Sequence, residues 1–156
     1  MRFAIDAHAI GQHLTGNEVY VRNLLDQFAT VDSEAEFIAY VSGPEAAREL
    51  PQRIRTKCVS KNPFLRLGWQ LGSRVSKDKP ALLHVQYTGP LWCPVPVVVS
   101  VHDVSFIEHP EFFLPARVVQ LQRTVKRTVQ SAARILTASE FSRQAIERYY
   151  PAARGK

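Results

Sequence analysis

Two hydrophobic periods alternate along this chain. Arg2 to Asp6 is a short, mostly apolar run of the kind that forms a strand. Val21, Leu24, Leu25 and Phe28 follow at i, i+3, i+4 and i+7, the spacing of a half-buried helix. Thr15, Gly16 and Asn17 precede that helix, and Thr15 or Asn17 can cap its free N–H groups. Phe37 to Val41 predicts a second strand closed by Ser42-Gly43-Pro44, Glu45 to Leu50 a short helix, and Ile54 to Val59 a third strand. Phe64 to Ser76 has helical spacing with Phe64, Leu67, Leu71 and Val75 on one face. Ala81 to Val85 reads as a strand ending at Gln86-Tyr87, and Val95 to Val101 as a central strand covered on both sides. Ala116 to Ala133 is the longest predicted helix, with Leu121, Val125, Val129 and Ala132 inward. Ile135 to Ala138 is a last strand, and Ser139 caps a final helix through Tyr149 that Pro151 helps end.

Strands alternating with helices across short loops predict an α/β fold, a doubly wound, Rossmann-like parallel sheet of five or six strands with helices on both faces. There is no internal repeat. The length of 156 residues fits one domain able to bury a full core. The apolar fraction of 46% and charged fraction of 22% exclude a disordered or fibrous chain. An acid at the sixth residue interrupts any signal-peptide core, and Pro94 to Val99 is far short of the about 20 residues that span a bilayer. The expectation is a cytoplasmic protein, at most peripheral on the inner face of a membrane. Cys58 and Cys93 lack CxxC spacing and read as two reduced thiols.

The net charge of +6 is unevenly spread. Residues 1–50 carry three basic residues against eight acids, residues 51–79 eight against one (Asp78), and residues 115–150 seven against two. A cationic face of this kind suits phosphate-rich ligands or an anionic surface, although solvated helix faces explain much of it as well. Around Phe64 to Lys79, the cations Arg66, Arg74 and Lys77 lie opposite or beside the apolar face, with Leu65 and Trp69 on its flank. Such a helix can lie on anionic lipid, or it simply covers the sheet with Trp69 packed on a neighbour. Arg123, Lys126, Arg127 and Arg134 have no aromatic stacking platform beside them and read as a solvated helix face rather than a nucleic-acid site.

In open parallel sheets, ligands bind outside the carboxyl ends of the strands, so the residues just after each strand are the candidates. These are Asp6-Ala7-His8 and the loop to Leu14-Thr15-Gly16-Asn17-Glu18, then Gln86-Tyr87-Thr88-Gly89-Pro90, His102-Asp103, and Ser139-Glu140-Phe141-Ser142, all expected along one edge. Gly11 and Gly16 do not make a GxGxxG pattern, and no Lys-Ser/Thr follows, which argues against a dinucleotide site and a P-loop. Gly16 beside a helix N-terminus suits an anion, or it permits a tight turn. His102 can donate to an oxygen while Asp103 sets its charge or binds a hydroxyl; alternatively the histidine serves a neighbouring carbonyl. His8, His13, His84 and His109 have no metal-ligand spacing with it, so no metal is expected.

Laid out in order, four stretches carry a likeness: Phe3-Ala4-Ile5-Asp6-Ala7; residues 14–25 from Leu14-Thr15-Gly16 to Leu24-Leu25; Val98 to Phe106 with His109-Pro110-Glu111; and Ile135 to Arg143. With them the chain resembles the N-terminal domain of retaining glycosyltransferases of family 4, enzymes of the two-domain B-type fold. The resemblance implies transfer of a sugar from a nucleotide-diphosphate donor to a hydroxyl acceptor, a glycan or a lipid-linked one, with no metal. It implies that Gly16 brings its backbone to the donor diphosphate and that His102, with Asp103, lies at the reacting sugar. Thr15, Asn17 and Glu18 would shape the substrate side, and Ser139, Glu140 and Phe141 would line the cleft. Relatives often carry Ile-Gly-Arg after Thr-Gly where this chain has Asn17-Glu18-Val19. The donor's base and most phosphate contacts belong to a C-terminal domain absent from this sequence, so the chain alone is expected to be inactive, with Tyr149-Tyr150 facing the missing half. A non-catalytic binding module and half of a nucleotide-sugar epimerase are the competing expectations.

Overall fold

A computed structural model describes residues 1–12, 15–31 and 34–156, the side chain of Thr15 excepted. Six strands form a parallel sheet in the order β3-β2-β1-β4-β5-β6. They are β1 (Arg2–Asp6), β2 (Glu36–Val41), β3 (Arg55–Cys58), β4 (Leu83–Gln86), β5 (Val97–Ser100) and β6 (Arg134–Leu136). The helices between them are α1 (Thr15–Val31), α2 (Pro44–Arg48), α3 (Pro63–Leu65), α4 (Leu71–Asp78), α5 (Ser105–Glu108), α6 (Pro115–Ser131) and α7 (Glu140–Tyr149). The α/β, Rossmann-like expectation therefore holds, with strands ending within a few residues of the predicted limits. Two compact units make up the chain: residues 1–84 with 90–96, and residues 85–89 with 97–156.

In the first unit, β1 lies parallel to β2 in the register Phe3↔Phe37 to Asp6↔Tyr40, and β2 to β3 from Ile38↔Arg55 to Val41↔Cys58. Ile5, Ala7, Ile10, Val21, Leu25, Ala39 and Val41 close into a fully buried core because α1 presents its i, i+4 pair Val21 and Leu25 to the sheet. Phe37 stacks between Phe3 and Phe28, with ring centroids 5.7 and 5.0 Å away. The helix begins at Thr15, so Thr15 is its first residue rather than its cap. Leu14 of the quoted motif and His13 lie outside the described residues, as does the Thr15 side chain.

The segment from Pro63 to Asp78 corrects the sequence reading. Its middle, Arg66–Gln70, is a π-helical stretch between α3 and α4. A π turn inserts extra residues into the 3.6 repeat, so the face that α4 buries does not continue backwards. Leu71 and Val75 are fully buried, as expected, but Phe64 is 82% exposed and Arg66, expected on the outer side, is only 5% exposed. Trp69 is 73% exposed and does not pack on a neighbour as a sheet-covering helix would require. At the end of α4, buried Asp78 accepts from the Tyr40 hydroxyl at 2.8 Å and pairs with Lys57, and Lys79 leaves the helix in the left-handed region at φ 48°. The Tyr40 hydroxyl is pushed well above its ordinary range by burial and by the Asp78 carboxylate.

In the second unit, β5 and β6 pair from Val98↔Arg134 to Ser100↔Leu136. The valine strand is less covered than expected, with Val97 and Val98 half-buried and Val99, Ser100 and Val101 fully inside. Val118, Val125, Thr128 and Val129 are the buried positions of α6, whereas Leu121 is only half-buried. Arg127, read as solvated, is half-buried and donates to the Gly89 carbonyl at 2.5 Å. Ser139 caps α7 as predicted, its Oγ accepting from the Ser142 N–H at 3.1 Å. Tyr149 is partly exposed, but Tyr150 is buried at 6% and is not part of an open patch. Among the described residues no helix is long and apolar enough to cross a membrane. Cys58 and Cys93 are both free thiols.

Candidate functional site

Each unit brings its own strand-end residues together. In the second unit, β4 runs out into Gln86 and Tyr87, and β5 into His102 and Asp103. The Tyr87 N–H donates to the Ser100 carbonyl at 2.9 Å, holding the two strand ends in register. Tyr87 itself lies at φ 53°, the left-handed region that a bulky L-residue avoids, and the Thr88 N–H reaches back to the Gln86 carbonyl at 2.5 Å. Strain of this kind persists only where the surroundings fix it, and it concentrates at ligand sites. Here the fixing contacts are visible: the Tyr87 ring meets His102 edge-on at 5.6 Å and Phe106 at 6.5 Å, and its hydroxyl donates to Asp103 Oδ2 at 3.0 Å.

Asp103 is held from both sides. Its Oδ1 accepts from the Ser105 N–H at 2.9 Å and from Ser105 Oγ at 2.6 Å, which also starts α5. Partial burial pushes this carboxyl up, but the Ser105 and Tyr87 hydrogen bonds outweigh it and hold the group below the usual carboxylate range. His102 Nε2 lies 3.2 Å from Gln86 Oε1. Its half-burial lowers the imidazole below its ordinary value, against the opposing pull of Asp103, so the ring is neutral at neutral pH. A neutral imidazole beside a fixed carboxylate can exchange hydrogen bonds with hydroxyl groups; it is not a standing cation. The Tyr87 hydroxyl, raised by burial and by Asp103, stays protonated and keeps donating.

Ser139, Glu140 and Phe141 sit together at the start of α7 in the same unit. Glu140 accepts from Arg143 at 2.5 and 2.7 Å and from Gln144 at 2.9 Å, and these bonds hold its carboxyl down at about 2. Phe141 is 77% exposed.

In the first unit, β1 ends on Asp6, a fully buried carboxylate. Burial opposes its charge, but His8 donates to Oδ1 through its N–H at 3.2 Å, its Nδ1 lies 3.1 Å from the same oxygen, and Arg66 Nε stands 3.6 Å from Oδ2. Together these hold Asp6 below its ordinary value. Sequence reasoning missed Arg66 in this role, because a cation read on the outer face of a regular helix gives no sign that a π turn carries it inward. The loop beyond closes through Glu18, which accepts from the Gly11 N–H at 2.9 Å and from Arg22 at 2.7 Å; Arg22 also reaches Glu49 at 2.6 Å. Gly11 takes φ +74° there. Gly16 is exposed in the first turn of α1, and a Cβ built on it would meet nothing within 4 Å. Asn17 follows it, half-buried, in the same turn. A helix supplies no internal acceptors for its first-turn N–H groups and carries the positive end of its dipole there, so this end of α1 favours negative charge.

Comparison with known proteins gives one family. The family model described as Glycosyltransferase Family 4 matches residues 14–156. No curated protein matches the chain.

Proposed function

Since the chain belongs to glycosyltransferase family 4, we propose that it is the acceptor-side domain of a retaining hexosyltransferase that uses a nucleotide-diphosphate sugar and a hydroxyl acceptor. The observation that carries this reading is the strand-end cluster of Gln86, Tyr87, His102 and Asp103. It combines a neutral, half-buried imidazole with a carboxylate fixed by three donors, at the carboxyl ends of parallel strands where such folds bind ligands.

In the transfer, the bond from the anomeric carbon to the diphosphate oxygen breaks, and the acceptor oxygen bonds to that carbon as it gives up its proton. Positive charge builds on the sugar ring and negative charge on the departing diphosphate. His102, held neutral, is suited to hydrogen-bond a sugar hydroxyl and orient the ring. Asp103 sets the position of Tyr87 and adds negative potential beside the ring. Gly16 and the positive, dipole-favoured start of α1 suit the diphosphate, and the absence of a Cβ leaves the Gly16 backbone approachable. Ser139, Glu140 and Phe141 would border the substrate. The base, ribose and most phosphate contacts fall to a C-terminal domain, without which this domain transfers nothing; no metal takes part.

The test is a screen of nucleotide sugars for turnover by this domain joined to its donor-binding partner domain, followed by His102→Ala. The expected result is a loss of kcat of about a hundredfold with donor KM changed far less. Normal turnover in the variant would remove His102 from the chemistry.

A further inference from the structure

The π turn that carries Arg66 inward turns the neighbouring apolar side chains outward. Phe64 is 82% exposed, Leu65 62% and Trp69 73%. The segment that follows β4 packs on the same stretch: the Leu91 N–H donates to the Leu67 carbonyl at 2.8 Å, and Trp92 lies over Gly72 of α4. Leu91 and Trp92 are nevertheless 68% and 50% exposed. Five large, exposed apolar side chains, including both tryptophans of the chain, thus come from this stretch of the first unit and the segment packed on it. Large apolar exposure of this kind marks an interaction surface.

Charge identifies the occupant. Lys61, Arg74 and Lys77, from the same stretch of chain, are all exposed, and among the described residues none forms an ion pair with an acid. The only acid between residues 51 and 79 is Asp78, which is buried and already held by Lys57 and Tyr40. We infer that this surface docks on an anionic phospholipid bilayer, with Leu65, Trp69 and Trp92 entering the boundary between headgroups and acyl chains. Lys61, Arg74 and Lys77 then face the lipid phosphates. Indole rings suit that depth because one end is apolar and the other donates a hydrogen bond. A protein partner of ordinary composition would leave three cations to be matched one by one, whereas an anionic leaflet matches them anywhere along its plane.

The experiment mixes the purified chain with vesicles of equal parts phosphatidylglycerol and phosphatidylcholine, and with phosphatidylcholine alone. Since both tryptophans lie on the surface in question, their emission should shift to the blue on binding, and the chain should sediment with the anionic vesicles only. The double variant L65S/W69S should bind at least roughly tenfold more weakly. The triple variant K61Q/R74Q/K77Q, which leaves every apolar contact in place, should lose roughly fivefold per charge removed and become insensitive to salt. Circular dichroism and unfolding midpoints should match the parent in both. Absence of binding, equal binding to neutral vesicles, unaltered binding by both variants, or Trp69-dependent self-association without vesicle binding would each overturn the inference.

Discussion

The hydroxyl of Tyr87 donates to Asp103 Oδ2 at 3.0 Å from a backbone held at φ 53°. An unfavourable torsion at the end of one strand is therefore secured by a carboxylate at the end of its neighbour. Tyr87→Phe keeps the ring against His102 and Phe106 but removes that bond. The expected loss is about 1 kcal/mol of stability, read from urea midpoints, together with a rise in the Asp103 carboxyl pKa in an NMR titration. An unchanged titration would show that Ser105 alone holds the charge.

His102 gives the second unit a pH response with a definite sign. Its folded-state pKa lies below the ordinary 6.5, so the unfolded chain binds its proton first as pH falls. Stability is full above that ordinary value and declines as pH drops from it towards the lowered one. The carboxylates Asp6, Asp78 and Asp103 also have depressed values, so their contribution is complete above about 3.8 and lost only as pH falls below it. His102→Gln should flatten the slope of unfolding free energy between pH 7 and 5 while leaving the acid limb below 4 in place.

Gly72 sits inside α4, where alanine is ordinarily the better helix former. A Cβ there would stand 2.5 Å from the Trp92 carbonyl oxygen and 2.6 Å from its ring. Gly72→Ala is expected to destabilise the chain by about 1–3 kcal/mol in denaturant unfolding, with Trp92 fluorescence altered in the folded state. A stabilised variant would mean that the segment after β4 moves aside freely.

The Asp6–Arg66 pair is buried on both sides, with side-chain exposures of 1% and 6%. Arg66 Nε has no hydrogen-bond partner. Breaking the pair by Arg66→Ala leaves a buried carboxylate with His8 alone, an expected cost of about 3 kcal/mol. The double variant D6N/R66M should recover most of that loss, since desolvating two charges gives back much of what their attraction gains. Equal losses for the single and double variants would show that the two groups act independently.

Patterning legible in the sequence accounts for the sheet, because period-two and period-3.6 runs depend on local burial alone. Val21 and Leu25 facing the core, Ser139 capping α7, and His102 and Asp103 ending a strand follow from neighbours in the chain. The π turn does not. It carries Arg66 inward, it reversed the expected places of Phe64 and Arg66, and it left the flanking Trp69 exposed rather than packed. Tyr87 also escaped notice in its present role: nothing in Gln86-Tyr87-Thr88 signals a left-handed residue, since the strain is imposed by Ser100 and Asp103 from a strand further along. The likeness at residues 14–25, 98–111 and 135–143 carried the family, which the match over residues 14–156 shows.

The loop after β4 is also fastened to α6 at three points. Thr88 Oγ1 donates to Thr124 Oγ1 at 3.0 Å, Gly89 N–H to Thr128 Oγ1 at 2.9 Å, and Arg127 to the Gly89 carbonyl at 2.5 Å. Thr128 passes the connection on by donating to the Thr124 carbonyl inside the helix. A loop pinned in this way cannot relax residue by residue: whatever relieves the torsion at Tyr87 must turn or slide a helix of five turns with it. The strand-end cluster thus has a long lever attached, and slow amide exchange along one side of α6 would register what happens to a single phenol.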